Sequence, residues 1–273
     1  VTRLIRGWPL TFVLAAVFGL CVGPFYWMAM AATHANSDIF SYPPKFYPGN
    51  QLAENTRKLE ESIGLLHVLG NTLFVAVVTT LGALAISLLA GYGFAKFSFR
   101  GRNTLFVLLL STLVIPGGVT IIPVFEMMND IGLIDSYPAL ILPGLTVPFG
   151  IFLMRQSLLA VPDELLDAAR VDGAGELRVL ARVVVPVMRP VLAALAVFLF
   201  LGSWNDFLWP LIALRTPEMH TLPVALASLQ ATTRTDFGQV MVGTAISSLP
   251  MMILFLVLQK QFISGLLAGA TKG

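Results

Sequence analysis

The sequence predicts an all-α integral membrane domain of six transmembrane helices, and three observations predict it. Of 273 residues, 56% are hydrophobic and 12% charged, against roughly a quarter charged in an ordinary soluble domain. Mean hydropathy is +0.83, so a soluble fold of this length would lack the polar surface to cover itself. Predominantly apolar runs of about 20 residues, the length that crosses a hydrocarbon core, recur six times along the chain. The net charge of +2 offers no footprint for nucleic acid. The single cysteine, Cys21, excludes an internal disulfide framework or a CxxC site, and its thiol is expected to be buried in a helix.

The first span, about residues 8–32, follows Arg3 and Arg6 and passes Ala29-Met30-Ala31. It is longer than the roughly 7–15 residues of a signal-peptide apolar region, and further spans follow, so it is expected to be retained. The others fall near 68–95, 103–126, 136–154, 187–211 and 237–259, the fifth carrying Arg189 at one end and Asp206 near the other. With the N-terminus inside, twelve basic residues face the cytoplasm: Arg3, Arg6, Lys96, Arg100, Arg102, Arg155, Arg170, Arg178, Arg182, Arg189, Lys260 and Lys272. Lys45, Arg57, Lys58, Arg215 and Arg234, five in all, face outward. That asymmetry orients the chain, and an even number of spans puts both termini in the cytoplasm. No repeat divides the sequence, and residues 1–273 read as one membrane domain.

Two loops exceed simple turns. The outer one, about 33–67, contains Ser41-Tyr42-Pro43-Pro44-Lys45-Phe46-Tyr47-Pro48-Gly49; its aromatics suit either the headgroup level or a partner. The inner one, about 155–186, opens Val161-Pro162-Asp163-Glu164-Leu165-Leu166-Asp167-Ala168-Ala169. Proline is preorganised for a first helical position, and Asp163 and Glu164 suit the positive end of a helix dipole. Ala168 and Ala169 give a low-relief surface that a partner's backbone can approach. After Val171-Asp172, Gly173 can take the positive φ that ends one helix and redirects the chain. A second helix, about 175–184, is expected to stop before Pro186. Physics alone leaves two readings open, an amphipathic connector on the membrane surface or a docking projection.

The residue pattern adds a resemblance. Asp167-Ala168-Ala169, then three residues, Gly173, nine residues, Val183, one residue and Val185-Pro186 is similar to the EAA loop of ABC importer permeases. Asp167, Val183 and Val185 stand where Glu, Ile and Leu are usual, with the spacing intact. Trp204-Asn205-Asp206-Phe207-Leu208-Trp209-Pro210 and the C-terminal Gly265-Leu266-Leu267-Ala268-Gly269-Ala270-Thr271-Lys272-Gly273 further resemble the smaller permease of maltose-type carbohydrate importers. The resemblance implies a type I ABC importer permease fold in a bacterial inner membrane. It implies that Asp163, Glu164, Asp167, Ala168, Ala169, Asp172, Gly173 and Pro186 belong to a coupling element that docks on a separate ATPase. It also implies that the tail, with Gly269, Lys272 and Gly273, reaches the interface of two ATP-binding subunits. A second homologous permease and an extracytoplasmic sugar-binding protein would complete the assembly, with ATP and Mg held by the ATPase subunits and no cofactor in this chain.

Trp204, Asn205, Asp206 and Trp209 carry two readings. Two tryptophans beside an acid near a span end suit an interfacial anchor. Intramembrane charge also marks transport paths, and aromatic faces beside Asn and Asp suit sugars, whose CH faces stack and whose hydroxyls bond. An ion-coupled transporter would place acids or histidines in mid-span, and spans one to four and six have none at their centres. His34, His67 and His220 lie far apart in outer loops and read as solvated residues, so neither a catalytic nor a metal cluster is expected. No G-x-x-x-x-G-K-[ST] loop occurs, so the chain itself should not hydrolyse ATP.

Overall fold

The structure, a computed structural model, describes residues 8–231 and 235–270. Arg3, Arg6, Arg234, Lys272 and Gly273 lie outside these residues. The chain falls into two compact units, one drawn from Val1–Val68 with Val224–Met251, the other from Leu69–Pro223 with Met252–Gly273. Among the described residues every regular element is helical. Four helices are long and apolar enough to cross a bilayer, and two bent pairs raise the number to six if each forms one span.

In the first unit, α1 (Trp8–Ala31) is a 24-residue helix with Pro24 inside. Its apolar side chains are exposed around the helix, Phe12, Phe18, Leu20 and Phe25 among them. Cys21 is exposed as well, contrary to the expected buried thiol; an all-apolar helix gives no sequence signal for which side a residue faces. After the short α2 (Asn36–Ile39) the segment 40–49 exposes Tyr42, Phe46 and Tyr47. Then α3 (Leu52–Ile63) turns Leu59 and Asn55 inward and pairs Arg57 with Glu54 and Glu61 on its outer face. Asn55 donates to the carbonyls of Ala32 and His34, both at 2.9 Å. His34 is correspondingly buried, with Nδ1 2.9 Å from the Met30 carbonyl and its ring edge-on to Tyr47. The reading of His34 as a solvated residue is thereby corrected.

The second unit is organised around most of α4 (Leu65–Lys96). Next, α5 (Arg102–Ser111), a 3-10 turn at Thr112–Val114 and α6 (Gly117–Asp130) make the first bent pair, broken at 104°. The second pair, α7 (Tyr137–Gly144) and α8 (Pro148–Leu159), is bent by 42°. Both breaks have one cause. A residue before proline is pushed out of the helical region, and Ile115 before Pro116 and Val147 before Pro148 are both extended. Glycines let the helices meet closely: a Cβ on Gly91 would lie 2.5 Å from Met154 Cβ, and one on Gly144 2.7 Å from Thr79 Cγ2.

The loop after α8 forms α9 (Asp163–Val171) and α10 (Glu176–Val179). The chain does not stop before Pro186 as expected. It passes through a π-helical turn at Leu180–Val184 into α11 (Val185–Trp204), giving one continuous helix from Glu176 to Trp204. Proline has no N–H for the carbonyl four residues back and its ring would strike it; the wider π turn takes up that misfit. The fifth span therefore begins and ends earlier than 187–211. Beyond it lie α12 (Leu208–Ala213), α13 (Leu222–Gln230), whose last residues belong to the first unit, and α14 (Phe237–Ala270).

Candidate functional site: an acidic projection and a polar cavity

Two features of the second unit collect the residues singled out by sequence. The first is the projection formed by α9 and α10. Pro162 stands at the N-cap of α9, so Asp163 and Glu164 occupy the first turn, where the unpaired amides favour negative charge. Leu166 is buried against a cluster that includes Met154, Leu158, Val179 and Met188, with Ala169 and Ala174 packed on its margin. The opposite face exposes Glu164, Leu165, Asp167, Ala168 and Asp172. Of the two alanines, then, Ala168 is fully outward and Ala169 is half-buried. Pro186 lies away from this face, half-buried at the start of α11.

Gly173 adopts φ +82, and its N–H bonds to the Arg170 carbonyl while that of Ala174 bonds to Ala169. The turn is braced by Arg170, which donates to Asp167 at 2.8 Å and through two nitrogens to Glu176 at 2.8 and 3.3 Å. The Tyr92 hydroxyl of α4 donates to the same Glu176 carboxylate at 2.8 Å. The Glu176 carboxylate, then Asp167, hold the Arg170 guanidinium above its ordinary pKa. On the other side Lys96 Nζ lies 2.6 Å from both Asp163 Oδ1 and the Val161 carbonyl. Sequence reasoning named neither Tyr92 nor the bracing role of Arg170. It also missed Val171 and Leu177, apolar side chains 87% and 77% exposed beside the glycine turn. The signal was available, because Val171 falls out of phase with the buried Leu166 and the half-buried Ala169.

The second feature is a cavity of about 370 Å³ walled by α4, α6, α7 and α11 and by Asp206 and Trp209. Both helix breaks border it, through Gly117 on one side and Gly144 and Val147 on the other. The four residues of the Trp204–Trp209 segment separate here. Trp204 is 2% exposed and stacked on Phe200 at 5.6 Å, and Asn205 returns its side chain to the Leu201 carbonyl at 2.9 Å. Asp206 and Trp209 line the cavity. The Asp206 carboxylate lies beside the backbone amides of Trp209 and Phe207 at the start of α12. Trp209 donates from Nε1 to the Ala139 carbonyl at 2.9 Å and packs against Val75, Leu140, Ala213 and Leu214. Thr79, 8% exposed and with no hydrogen-bond partner for its hydroxyl, lines the same wall. Gly269 lies within α14. Among the described residues no cluster of His, Cys, Asp or Glu could hold a metal ion.

Comparison with known proteins fits this architecture. Residues 82–267 match the family model described as binding-protein-dependent transport system inner membrane component. The chain is 34% identical to the arabinooligosaccharides transport system permease protein AraQ of Halalkalibacterium halodurans, over 100% of this chain and 99% of that one. It is 34% identical to the sn-glycerol-3-phosphate transport system permease protein UgpE of Yersinia pestis bv. Antiqua, over 90% and 91%. Its fold is shared, at TM-score 0.81 and 24% identity over 92% and 94% of the chains, with a bacterial ABC transporter involved in the import of the acidic polysaccharide alginate. The chain belongs to the family of binding-protein-dependent transport system inner membrane components, as a multi-pass permease subunit of an ABC transporter.

Proposed function

We propose that this chain is the pore-forming subunit of an ATP-driven carbohydrate importer and that the α9–α10 projection is its coupling element. Residues 1–273 would act as one permease domain beside a second, homologous permease. Two ATP-binding subunits would dock on the face carrying Glu164, Asp167, Ala168 and Asp172, and an extracytoplasmic binding protein would deliver solute from the other side. The excess of Lys and Arg in the inner loops supports a cytoplasmic position for both ends of the chain. The observation that carries the reading is the exposed acidic face of α9, held rigid beside the Gly173 turn by Arg170 and Lys96. ATP-driven closure of the docked subunits would move α9, and the Lys96 and Tyr92 contacts would pass that movement to α4.

Deleting residues 163–174, or introducing Ala169→Pro, should abolish both transport and co-purification of the ATPase while membrane insertion persists. Unchanged co-purification in both variants would overturn the coupling role. The UgpE relative favours a second reading, a permease for glycerol phosphate. Uptake of labelled sn-glycerol 3-phosphate by the reconstituted complex, without uptake of any oligosaccharide, would establish that reading instead.

A further inference from the structure

We infer that the cavity between α4, α6, α7 and α11 is a binding site for an uncharged saccharide and discriminates against anionic solutes. The inference rests on the importer reading and narrows it, because the chain's relatives include permeases named for an oligosaccharide and for a phosphate ester. The volume of about 370 Å³ falls in the range of roughly 300–1,000 Å³ common for small-molecule sites. The wall chemistry decides the class of ligand.

Asp206 is the charged side chain on that wall, and none of the described lining residues is Lys, Arg or His. Phosphate and carboxylate groups are bound through cations, helix N-termini or bidentate arginines. The N-terminal turn of α6, with Gly117 and Thr120, reaches this wall. Its partial charge of about half a unit is outweighed by a full carboxylate charge at Asp206, so an anion would meet net repulsion. Carbohydrate hydroxyls donate and a carboxyl group offers several acceptor directions, so Asp206 can take a sugar hydroxyl. The Trp209 ring supplies the complementary surface. Sugar CH groups, slightly positive, stack on the electron-rich indole face. The ring is already fixed by the Ala139 carbonyl and by its packing against Leu140 and Ala213, so little freedom is lost on binding.

Thr79 lines the same wall, but its unpartnered hydroxyl oxygen is itself almost wholly covered by protein. Ser203, also on the wall, adds a hydroxyl. A carboxylate, an indole ring and the Ser203 hydroxyl among apolar walls make a polyol site.

The test uses the complete permease–ATPase complex in nanodiscs without its binding protein, so that solute choice reports on the membrane subunits. Cys21→Ser provides a cysteine-free chain, and Val124→Cys, on the cavity wall, serves as an alkylation reporter. Arabinotriose, maltotriose and lactose are the neutral probes and sn-glycerol 3-phosphate is the anionic one. At least one neutral sugar should slow alkylation fivefold or more, and glycerol phosphate should not slow it at equal concentration. Asp206→Asn and Trp209→Phe, the second retaining the ring's packing, should each raise the half-protecting sugar concentration about tenfold. Equal protection by glycerol phosphate, no protection by any of the three sugars, or protection unchanged in both variants would overturn the inference. ATPase co-purification is scored in the same samples. A complex that keeps its ATPase but fails these criteria removes the saccharide site and leaves the importer reading standing.

Discussion

Lys96 at the C-terminal end of α4 lies 2.6 Å from the Asp163 carboxylate in the first turn of α9. The two ends of this pair differ in environment, since the lysine side chain is 6% exposed and the aspartate 73%. An exposed ion pair contributes little, whereas an ammonium held away from water depends on its acceptors. The Val161 carbonyl is the second of these. The contact is therefore asymmetric: Asp163 can be exchanged at modest cost for a neutral residue that keeps an acceptor oxygen for the ammonium, and Lys96 has no such substitute. Replacing Asp163 by Asn should lower stability by less than about 1 kcal/mol. Lys96→Met should leave the Val161 carbonyl short of a donor and cost roughly 1–3 kcal/mol. Thermal unfolding of the detergent-solubilised complex separates the two, and equal losses in both variants would remove the asymmetry.

Arg170 has the opposite geometry, one cation shared by Asp167 and Glu176 across the glycine turn. A planar fork that grips two carboxylates is not replaced by a point charge. Arg170→Lys should keep the charge but loosen the turn, so that ATP hydrolysis and uptake become partly uncoupled. Tyr92→Phe should have a smaller effect in the same direction, because it removes one of the bonds to Glu176. The ratio of ATP hydrolysed to solute imported is the readout, and a ratio unchanged in Arg170→Lys would exclude the bracing role.

How much of this could be read from residues alone depends on which force decided each element. The spans follow hydropathy, which is strong over 20 residues, and five of the six ranges lie close to helices or bent pairs. The breaks did not show, because the apolar run passes through Ile115-Pro116 and Val147-Pro148 without interruption. Proline misled in the other direction at Pro186, where a π turn carries the helix across. The Gly173 turn was legible because its requirement for positive φ is local. Cys21 and His34 were misread for a common reason: which way they face is set by tertiary packing, in one case by contacts α1 does not make and in the other by the bonds Asn55 makes around it. Within 204–209, only the fold could divide Trp204, a core residue, from Asp206 and Trp209 on the cavity wall.

Asp135 offers a pH-dependent contact outside the spans. It is a non-glycine residue at φ 63, and its carboxylate accepts the amides of Arg215 and Thr216 at 2.9 and 3.1 Å and the Thr216 hydroxyl at 3.2 Å. Partial burial pushes the carboxyl up, but these amides, the hydroxyl and the Arg215 charge outweigh it and hold its pKa below the ordinary 3.8. A depressed carboxyl pKa means that the tether is at full strength above the unfolded value and is lost as pH falls through the folded one. Hydrogen exchange at Arg215 and Thr216 should be slow, after correction for the intrinsic rate, from neutral pH down to about 4, and protection should fall only in stronger acid. Asp135→Asn, which tolerates the same backbone region, should remove that acid dependence, and persistence of it would assign the transition to another group.

The close approaches of α4 supply a paired test of packing against function. A Cβ on Gly150 would fall 2.5 Å from Ser87 Oγ and 3.2 Å from Ser87 Cβ, with Leu195 at 3.4 Å behind, and Ser87 is fully buried. One on Gly202 would meet nothing within 4 Å, and Gly202 lines the cavity. Gly150→Ala therefore forces α8 from α4 and should cost roughly 1–3 kcal/mol, the usual range for overpacking. Gly202→Ala fills no occupied space, and replacing glycine within α11 should if anything stabilise the helix by up to about 1 kcal/mol. Its effect should instead appear in transport, because the added methyl narrows the space between α11 and the wall carrying Thr79. Unfolding temperature and the KM for uptake, measured on both variants, should thus move in crossed fashion: Gly150→Ala lowers the first, Gly202→Ala raises the second. A destabilised Gly202→Ala, or one with unaltered KM, would show that this stretch of α11 does not border the solute.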